Sequence, residues 1–169
     1  VPGADGAQFA IAGNSLKVGA TGLDFEAGAI RSITVRSTDQ GGFSFDQTFT
    51  VNITNVNEAP TLVNAIANQT ATEDAAFGFQ VPANTFADVD VGDTLSYSAS
   101  QADGSELPSW LSFTAATRSF SGTPVYANVG TLSVKVSAAD GANAAASDVF
   151  DLMVNRYPDL VLIGGPGND

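Results

Sequence analysis

The chain has no cysteine and no histidine among its 169 residues. It therefore has no Cys/His zinc site, no Ser-His or Cys-His nucleophile and no disulfide framework. Positive charge is also scarce, because only 6 basic side chains accompany 18 acidic ones and the formal net charge is −12. Nucleic-acid binding needs a basic face, so this charge balance excludes nucleic acid as an expected partner.

Long apolar runs are absent as well. No stretch approaches the ~20 residues of a membrane-spanning helix, and the first residues do not resemble a secretory signal, so we expect no membrane insertion. Hydrophobic residues still make up 44% of the chain, enough for a folded core in one or two domains. The chain begins at Val1 without a methionine, and we expect it to be part of a longer protein.

Alternation of apolar and polar residues indicates β-strands throughout, and no convincing helical period is present. Clusters of Gly, Asn, Asp and Pro separate the alternating segments at short intervals, which is typical of antiparallel sandwiches. The segments with this pattern lie at residues 32–36, 49–53, 95–100, 132–137 and 150–154. The sequence therefore predicts an all-β protein.

A weak repeat divides the chain into two domains. Each half ends in a strand, an Asp-containing turn (Asp39 or Asp140) and a final strand. Pro60 cannot donate to a sheet ladder, so residues 55–60 are the natural boundary. We expect a first domain at 1–58, short for a sandwich and lacking its opening strands, a second at 59–156 and a linker at 157–169.

Oxygen-bearing side chains gather on both sides of this boundary. Calcium takes six to eight oxygen ligands, mostly carboxylates and carbonyls. Asp24 and Glu26 share one face of an extended segment, as do Asp88 and Asp90, which Asp93 follows. Ordinary solvated turn residues are the competing interpretation, since Asp and Asn are common in turns.

These residues resemble a bacterial cadherin-type domain followed by a dystroglycan-type cadherin-like domain. The resemblance covers nearly all of residues 8–155, and it implies two immunoglobulin-like Greek-key sandwiches in tandem with Ca²⁺ bound at their joint. Matching the family motifs residue by residue implies one ligand set: Asp24, Glu26, Asn55, Asn57, Glu58, Asp88, Asp90 and Asp140. The six carboxylates of this set suit two or three divalent ions.

Residues 164–169, Gly-Gly-Pro-Gly-Asn-Asp, match the opening of a repeats-in-toxin calcium-binding nonapeptide. If the chain continues into such repeats, its parent resembles a large secreted bacterial adhesin. That resemblance implies an extracellular or bacterial cell-surface location, reached through type I secretion.

The leading functional hypothesis is a calcium-binding adhesion or spacer module, in which Ca²⁺ stiffens the joint. Its partners would be other cadherin-like domains, in the same chain or another, or a cell-surface glycan. The alternative is a calcium-dependent carbohydrate-binding module of a secreted polysaccharide-associated protein. Trp110, the only tryptophan, could stack on a sugar but is expected in the core. We expect no enzymatic activity, because nothing marks a cleft with two carboxylates in different environments.

Overall fold

Strands account for nearly all regular structure in the computed structural model, which describes residues 6–20 and 22–157. The only helical pieces in this part of the chain are three short 3₁₀ turns, at Gly6–Gln8, Ala115–Thr117 and Tyr126–Asn128. No helix here is long and apolar enough to cross a membrane. The chain divides into two units, residues 1–57 and 58–169. The segment 157–169, predicted to lead into a nonapeptide repeat, lies outside the described residues apart from Tyr157.

The described residues of the first unit, 6–20 and 22–57, form two antiparallel hairpins. The strands are β1 (Phe9–Ala12), β2 (Ser15–Val18), β3 (Ile30–Thr38) and β4 (Ser44–Asn52). The long hairpin forms because β3 and β4 alternate in polarity, so that Ile33 opposite Phe49 falls on one face and Thr34 opposite Thr48 on the other. Strands predicted at 32–36 and 49–53 are thus confirmed as β3 and β4.

The strands of the first unit are more exposed than strands that have one face covered by the rest of a domain. Ile33 is fully buried, whereas Phe49 opposite it is 50% exposed and most of β4 is open to solvent. The residues described in this unit form two-stranded ladders only, and a two-stranded hairpin covers little of its own apolar face. A sandwich lacking its opening strands was expected from the length of this segment, and that expectation stays a prediction.

The second unit contains nine strands within its described residues, 58–157. They are β5 (Thr61–Leu62), β6 (Gln69–Thr72), β7 (Phe77–Gln80), β8 (Phe86–Ala87), β9 (Ser96–Gln101), β10 (Leu111–Thr114), β11 (Ser119–Gly122), β12 (Gly130–Ala139) and β13 (Ala145–Asn155). They form a four-stranded sheet in the order β6-β13-β12-β9, a three-stranded sheet β10-β11-β7 and the short pair β5-β8. All neighbours are antiparallel except β6 and β13. The strands predicted at 95–100, 132–137 and 150–154 are confirmed as β9, β12 and β13.

The core of the second unit lies where its two larger sheets meet. Phe150 of the four-stranded sheet packs edge-on against Phe79 and Phe120 of the three-stranded sheet, with ring centroids 5.7 and 5.8 Å apart. Val134 and Leu152, from neighbouring strands, are fully buried in the same cluster. The alternation seen in β12 and β13 thus places every second residue between the sheets, which gives the sandwich its single apolar interior.

Candidate metal centre

Three aspartates occupy the loop between β8 and β9. The backbone N–H of Asp90 donates to Oδ1 of Asp88 at 3.0 Å, and the N–H of Asp93 donates to the carbonyl of Asp90 at 3.2 Å. Gly92 has a φ of +104°, a conformation that side chains disfavour and that lets the loop turn between Asp90 and Asp93. Aspartates at short spacing around this turn therefore point their carboxylates to one place.

One carboxylate oxygen from each of Asp88, Asp90 and Asp93 lies within 4.8 Å of the other two. Asp90 is only 7% exposed, Asp88 is half-buried and Asp93 is exposed. Oδ2 of Asp88 is fully buried and has no hydrogen-bond partner in the part of the chain that the structure describes. A buried carboxylate oxygen without a partner is costly, because it has lost water and gained nothing in exchange.

The surrounding charge changes the acidity of Asp93. The pKa of Asp93 is raised above its ordinary value, first by desolvation from the surrounding protein atoms and then by the negative charges of Asp88, Asp90 and Asp140. All four groups belong to the second unit. The loop therefore concentrates negative charge, a condition that a cation relieves.

Asp140 lies in the turn between β12 and β13 and is 4% exposed. Its Oδ1 accepts hydrogen bonds from the backbone N–H groups of Ala142 and Ala144, at 2.9 and 2.8 Å. The turn includes Asn143 at a φ of +67°, which asparagine tolerates better than most residues. Asp140 thus stabilises its own turn while its charge acts on Asp93.

The boundary segment contributes a backbone contact. The N–H of Glu58 donates to Oδ2 of Asp90 at 2.9 Å, and the side chain of Glu58 is exposed. Asn55 and Asn57 are also exposed and belong to the first unit. Of the predicted ligands, the second unit thus assembles Asp88, Asp90 and Asp140, with the Glu58 backbone bonded to Asp90.

Asp24 and Glu26 lie in the first unit and are exposed. Oδ1 of Asp24 accepts hydrogen bonds from the backbone N–H groups of Glu26 and Ala27, at 2.9 and 3.3 Å. This is the arrangement of a local Asp turn, and it leaves the second carboxylate oxygen of Asp24 outside the turn. Their role as ligands stays a prediction.

The donor set of the Asp88–Asp93 loop fits a hard divalent cation. Three carboxylates supply oxygen ligands only, and the buried Oδ2 of Asp88 lacks the partner that a cation provides. Oxygen donors in flexible loop geometry are the ligands that Ca²⁺ accepts most readily. Asp93 was outside the predicted ligand set, although the spacing Asp-x-Asp-x-x-Asp around a glycine is visible in the sequence.

Three other side chains, Trp110, Glu73 and Asp39, make contacts within their own units. Trp110 is partly buried and packs against the core of the second unit, as predicted. Glu73 is 7% exposed, and its Oε1 accepts a hydrogen bond from the backbone N–H of Tyr157 at 3.0 Å. In the first unit, Oδ1 of Asp39 accepts from the backbone N–H of Phe43 at 2.9 Å and closes the β3–β4 turn.

A family model described as "Putative Ig domain" matches residues 59–155. No curated protein matches the chain. Among solved structures, extracellular cadherin domains 1–4 of protocadherin gamma B7 share 17% identity at a TM-score of 0.61, covering 85% of this chain and 36% of that one. Human mucin-like protocadherin EC1-2 shares 17% identity at a TM-score of 0.54, covering 89% of this chain and 79% of its own.

Protocadherin gamma B2 extracellular domains 1–5 are similar in the same way, with 17% identity, a TM-score of 0.56 and coverage of 81% of this chain and 27% of that one. Identities this low show the fold alone, which is immunoglobulin-like and cadherin-like. The chain spans only 19% to 36% of the length of the first solved structures that it matches.

Proposed function

The chain belongs to the family described as "Putative Ig domain", and from this premise we propose that it is a calcium-binding adhesion or spacer module of an extracellular protein. The observation that carries the proposal is the buried, unpartnered Oδ2 of Asp88, in a loop where three carboxylates gather. Domains with this fold are typically extracellular, where millimolar calcium is available to sites of modest affinity.

Asp88, Asp90 and Asp93 would hold the ion, which would supply positive charge to a loop where the three carboxylates repel one another. The chain's own residues prepare the site, because the N–H of Glu58 orients the Asp90 carboxylate and the N–H of Asp90 orients that of Asp88. Asp140, anchored by two backbone N–H groups, adds a further carboxylate whose charge reaches Asp93. The loop needs little rearrangement before binding.

The finer parts of the proposal come from the sequence resemblance. Asp24, Glu26, Asn55, Asn57 and the side chain of Glu58 are proposed to complete the ligand set, so that Ca²⁺ makes the joint between the two domains rigid. The dystroglycan-type assignment of the second domain, the repeats-in-toxin run after it and type I secretion to the bacterial surface are proposed on the same basis. We also propose that the chain is not an enzyme.

Carbohydrate binding gains no support from Trp110, because that side chain packs against the core instead of standing free on the surface. The partners we favour are therefore other cadherin-like domains. Retention on an insoluble polysaccharide in calcium, with release by chelator, would favour the alternative.

The test is calorimetric titration of the chelator-treated chain with Ca²⁺ alone. Asp90→Asn keeps an acceptor for the N–H of Glu58 but removes one ligand charge, so we expect calcium affinity to fall at least about tenfold. Asp39→Asn is the matched control, since Asp39 likewise accepts a backbone N–H in a turn but lies in the first unit. Equal affinities for both variants and the wild type would refute the site.

The contribution of the first unit is tested separately with Asp24→Ala. If Asp24 is a ligand as the resemblance implies, its loss lowers the number of bound ions or their affinity. Unchanged titration of Asp24→Ala, together with a loss in Asp90→Asn, would confine the site to the second unit.

A further inference from the structure

The second unit contains a small cavity outside the calcium-binding loop. Its volume is about 290 Å³, and it lies where the start of β9 meets the turn that joins β10 and β11. It is lined by Leu95, Ser96, Tyr97, Ala115, Ala116 and Arg118. All of these residues belong to the second unit and to the part of the chain that the family model matches. The volume is at the small end of ligand pockets, so the cavity suits a ligand of about one ring.

The backbone holds Arg118 in a fixed place at the edge of this cavity. Its φ is +55°, in the left-handed region, which is less favourable for a residue with a side chain than for glycine. Its N–H donates to the carbonyl of Ala115 at 3.1 Å, and its carbonyl accepts from the N–H of Val81 at 2.9 Å. These two bonds fix the point from which the side chain leaves the turn. The turn itself favours glycine, so local backbone conformation does not explain an arginine here.

The guanidinium of Arg118 lies over the ring of Tyr97. Its Cζ is 5.6 Å from the centre of that ring, and its Nε donates a long hydrogen bond to the carbonyl of Val81, at 3.4 Å. Tyr97 is anchored in turn, since its ring meets Phe86 edge-on with centroids 6.2 Å apart and packs against the core. Both Arg118 and Tyr97 are half-buried. The charged group therefore has a defined position, which lowers the entropy cost of binding.

The hydrogen-bonding groups of this pair are not used within residues 6–20 and 22–157. Nη1 and Nη2 of Arg118 and the hydroxyl of Tyr97 have no hydrogen-bond partner there, and none of these atoms is fully buried. Arg118 forms no ion pair with these residues either, and the sequence has no acidic residue between Glu106 and Asp140. An arginine fork binds a carboxylate through two parallel, charge-assisted hydrogen bonds. The cavity thus offers two guanidinium nitrogens and a phenol to an anion.

Charge and lining together select the kind of anion. Residues 58–169 carry three basic and thirteen acidic side chains, a formal net charge of −10. Such a unit repels a doubly charged anion more than a singly charged one, which favours one carboxylate over a phosphate or a sulfate. The hydroxyl of Ser96 donates to the carbonyl of Ala139 at 3.1 Å, and its oxygen remains able to accept. Leu95, Ala115 and Ala116 supply an apolar wall. This lining fits a ligand that combines one carboxylate with hydroxyl groups and a C–H face, as a sugar acid does.

We propose that this cavity binds a sugar acid, with Arg118 holding the carboxylate and the hydroxyls of Tyr97 and Ser96 bonding to the sugar hydroxyls. The site goes beyond the adhesion or spacer function, which makes no use of these residues. It needs neither calcium nor Trp110, and in this it differs from the calcium-dependent carbohydrate-binding alternative. A small open cavity with one charged contact binds weakly, so we expect a dissociation constant in the millimolar range.

The test is an NMR titration of the intact chain with glucuronate in chelator, followed through the N–H signals of Arg118 and Tyr97. Glucuronate should give saturating shifts, whereas glucose, which lacks the carboxylate, and propionate, which lacks the hydroxyls, should each bind at least about tenfold more weakly. Arg118→Lys keeps the charge but loses the fork, and Arg118→Gly loses both but suits the left-handed turn. Each should weaken glucuronate binding at least about tenfold. Circular dichroism checks that both variants keep their strands.

Arg156→Gln is the matched control. Arg156 belongs to the same unit and its Cζ also lies over a tyrosine ring, 5.0 Å from the centre of Tyr126, but neither residue lines the cavity. This variant should bind glucuronate as the wild type does. The proposal is overturned if glucuronate gives no saturating shift, if Arg118→Gly binds it as tightly as the wild type, or if Arg156→Gln weakens binding as much as Arg118→Gly. Inorganic phosphate or propionate that binds as tightly as glucuronate would also reject it, since the site would then hold any small anion. All of these outcomes are measured without calcium, so they leave the metal site standing.

Discussion

Replacing Asp88 by asparagine should stabilise the protein in the absence of calcium and reduce the stabilisation that calcium provides. Without calcium, the carboxylates of Asp88 and Asp90 repel each other, because their oxygens lie within 4.8 Å. Two unit charges at that distance interact by about 3.5 kcal/mol at an effective dielectric of ~20. Asp88 is half-buried, and solvent screening reduces the relief to about 1–2 kcal/mol. The asparagine side chain still offers an oxygen to the N–H of Asp90.

Calcium should then stabilise the wild type more than it stabilises the variant. At a concentration of ~100 times the dissociation constant, bound calcium stabilises the wild type by about 2.7 kcal/mol. For a domain of this size that corresponds to a rise in Tm of roughly 10 °C or more. Asp88→Asn should melt about 5 °C or more above the wild type in chelator, and should gain less than half of the wild-type increment in calcium.

The assay is thermal unfolding followed by tryptophan fluorescence. Trp110 is the only tryptophan and belongs to the second unit, so its signal reports that unit alone. Asp103→Asn is the control, because Oδ1 of Asp103 accepts hydrogen bonds from Ser105 in an exposed turn outside the carboxylate loop. The reasoning fails if Asp88→Asn melts below the wild type in chelator and still gains the full increment in calcium.

Three further predictions concern the second unit. Phe150→Ala should lower the free energy of unfolding by about 3–5 kcal/mol in chemical denaturation, because Phe150 is 2% exposed between the sheets. Val149 is 49% exposed on the same strand, so Val149→Ala should lower it by less than ~1 kcal/mol. Similar losses for the two variants would contradict the core assignment. Asp140→Ala should destabilise the second unit by about 2–4 kcal/mol even in chelator, since two backbone N–H groups lose their acceptor. A loss of stability seen only in calcium would refute the role of Asp140 in holding its own turn. In chelator, the raised pKa of Asp93 means that the folded state binds the carboxyl proton of Asp93 more tightly than the unfolded state does. The ionised carboxylate therefore destabilises the folded state above the folded pKa, and this destabilisation vanishes as pH falls below the unfolded pKa near 3.9. Urea titrations across acidic pH should show this change in unfolding free energy in the wild type and its loss in Asp93→Asn.

Alternation in the sequence located the main strands because a strand places successive side chains on opposite faces, a property that depends on local geometry alone. The segments at 132–137 and 150–154 became β12 and β13 for that reason, and their alternate residues Val134, Val136, Phe150, Leu152 and Val154 are buried, whereas Met153 on the other face is 49% exposed. The strands β1, β2, β5, β6, β7, β8, β10 and β11, of two to four residues each, were not predicted, since segments this short show little or no period. In the first unit, alternation shows which face of β3 and β4 is apolar but not whether anything covers that face.

At the candidate metal centre, the sequence by itself determined that acidic side chains occur at two-residue spacing, as in Asp88 and Asp90, and that a turn aspartate precedes the final strand. Only the tertiary structure decided that Asp93 joins Asp88 and Asp90, that Asp140 acts on Asp93 from a turn some fifty residues away, and that Oδ2 of Asp88 is buried without a partner. The physical reason is that charge density and desolvation depend on distances through space. The packing of β12 and β13 beside the β8–β9 loop sets these distances, and local sequence patterns do not encode them.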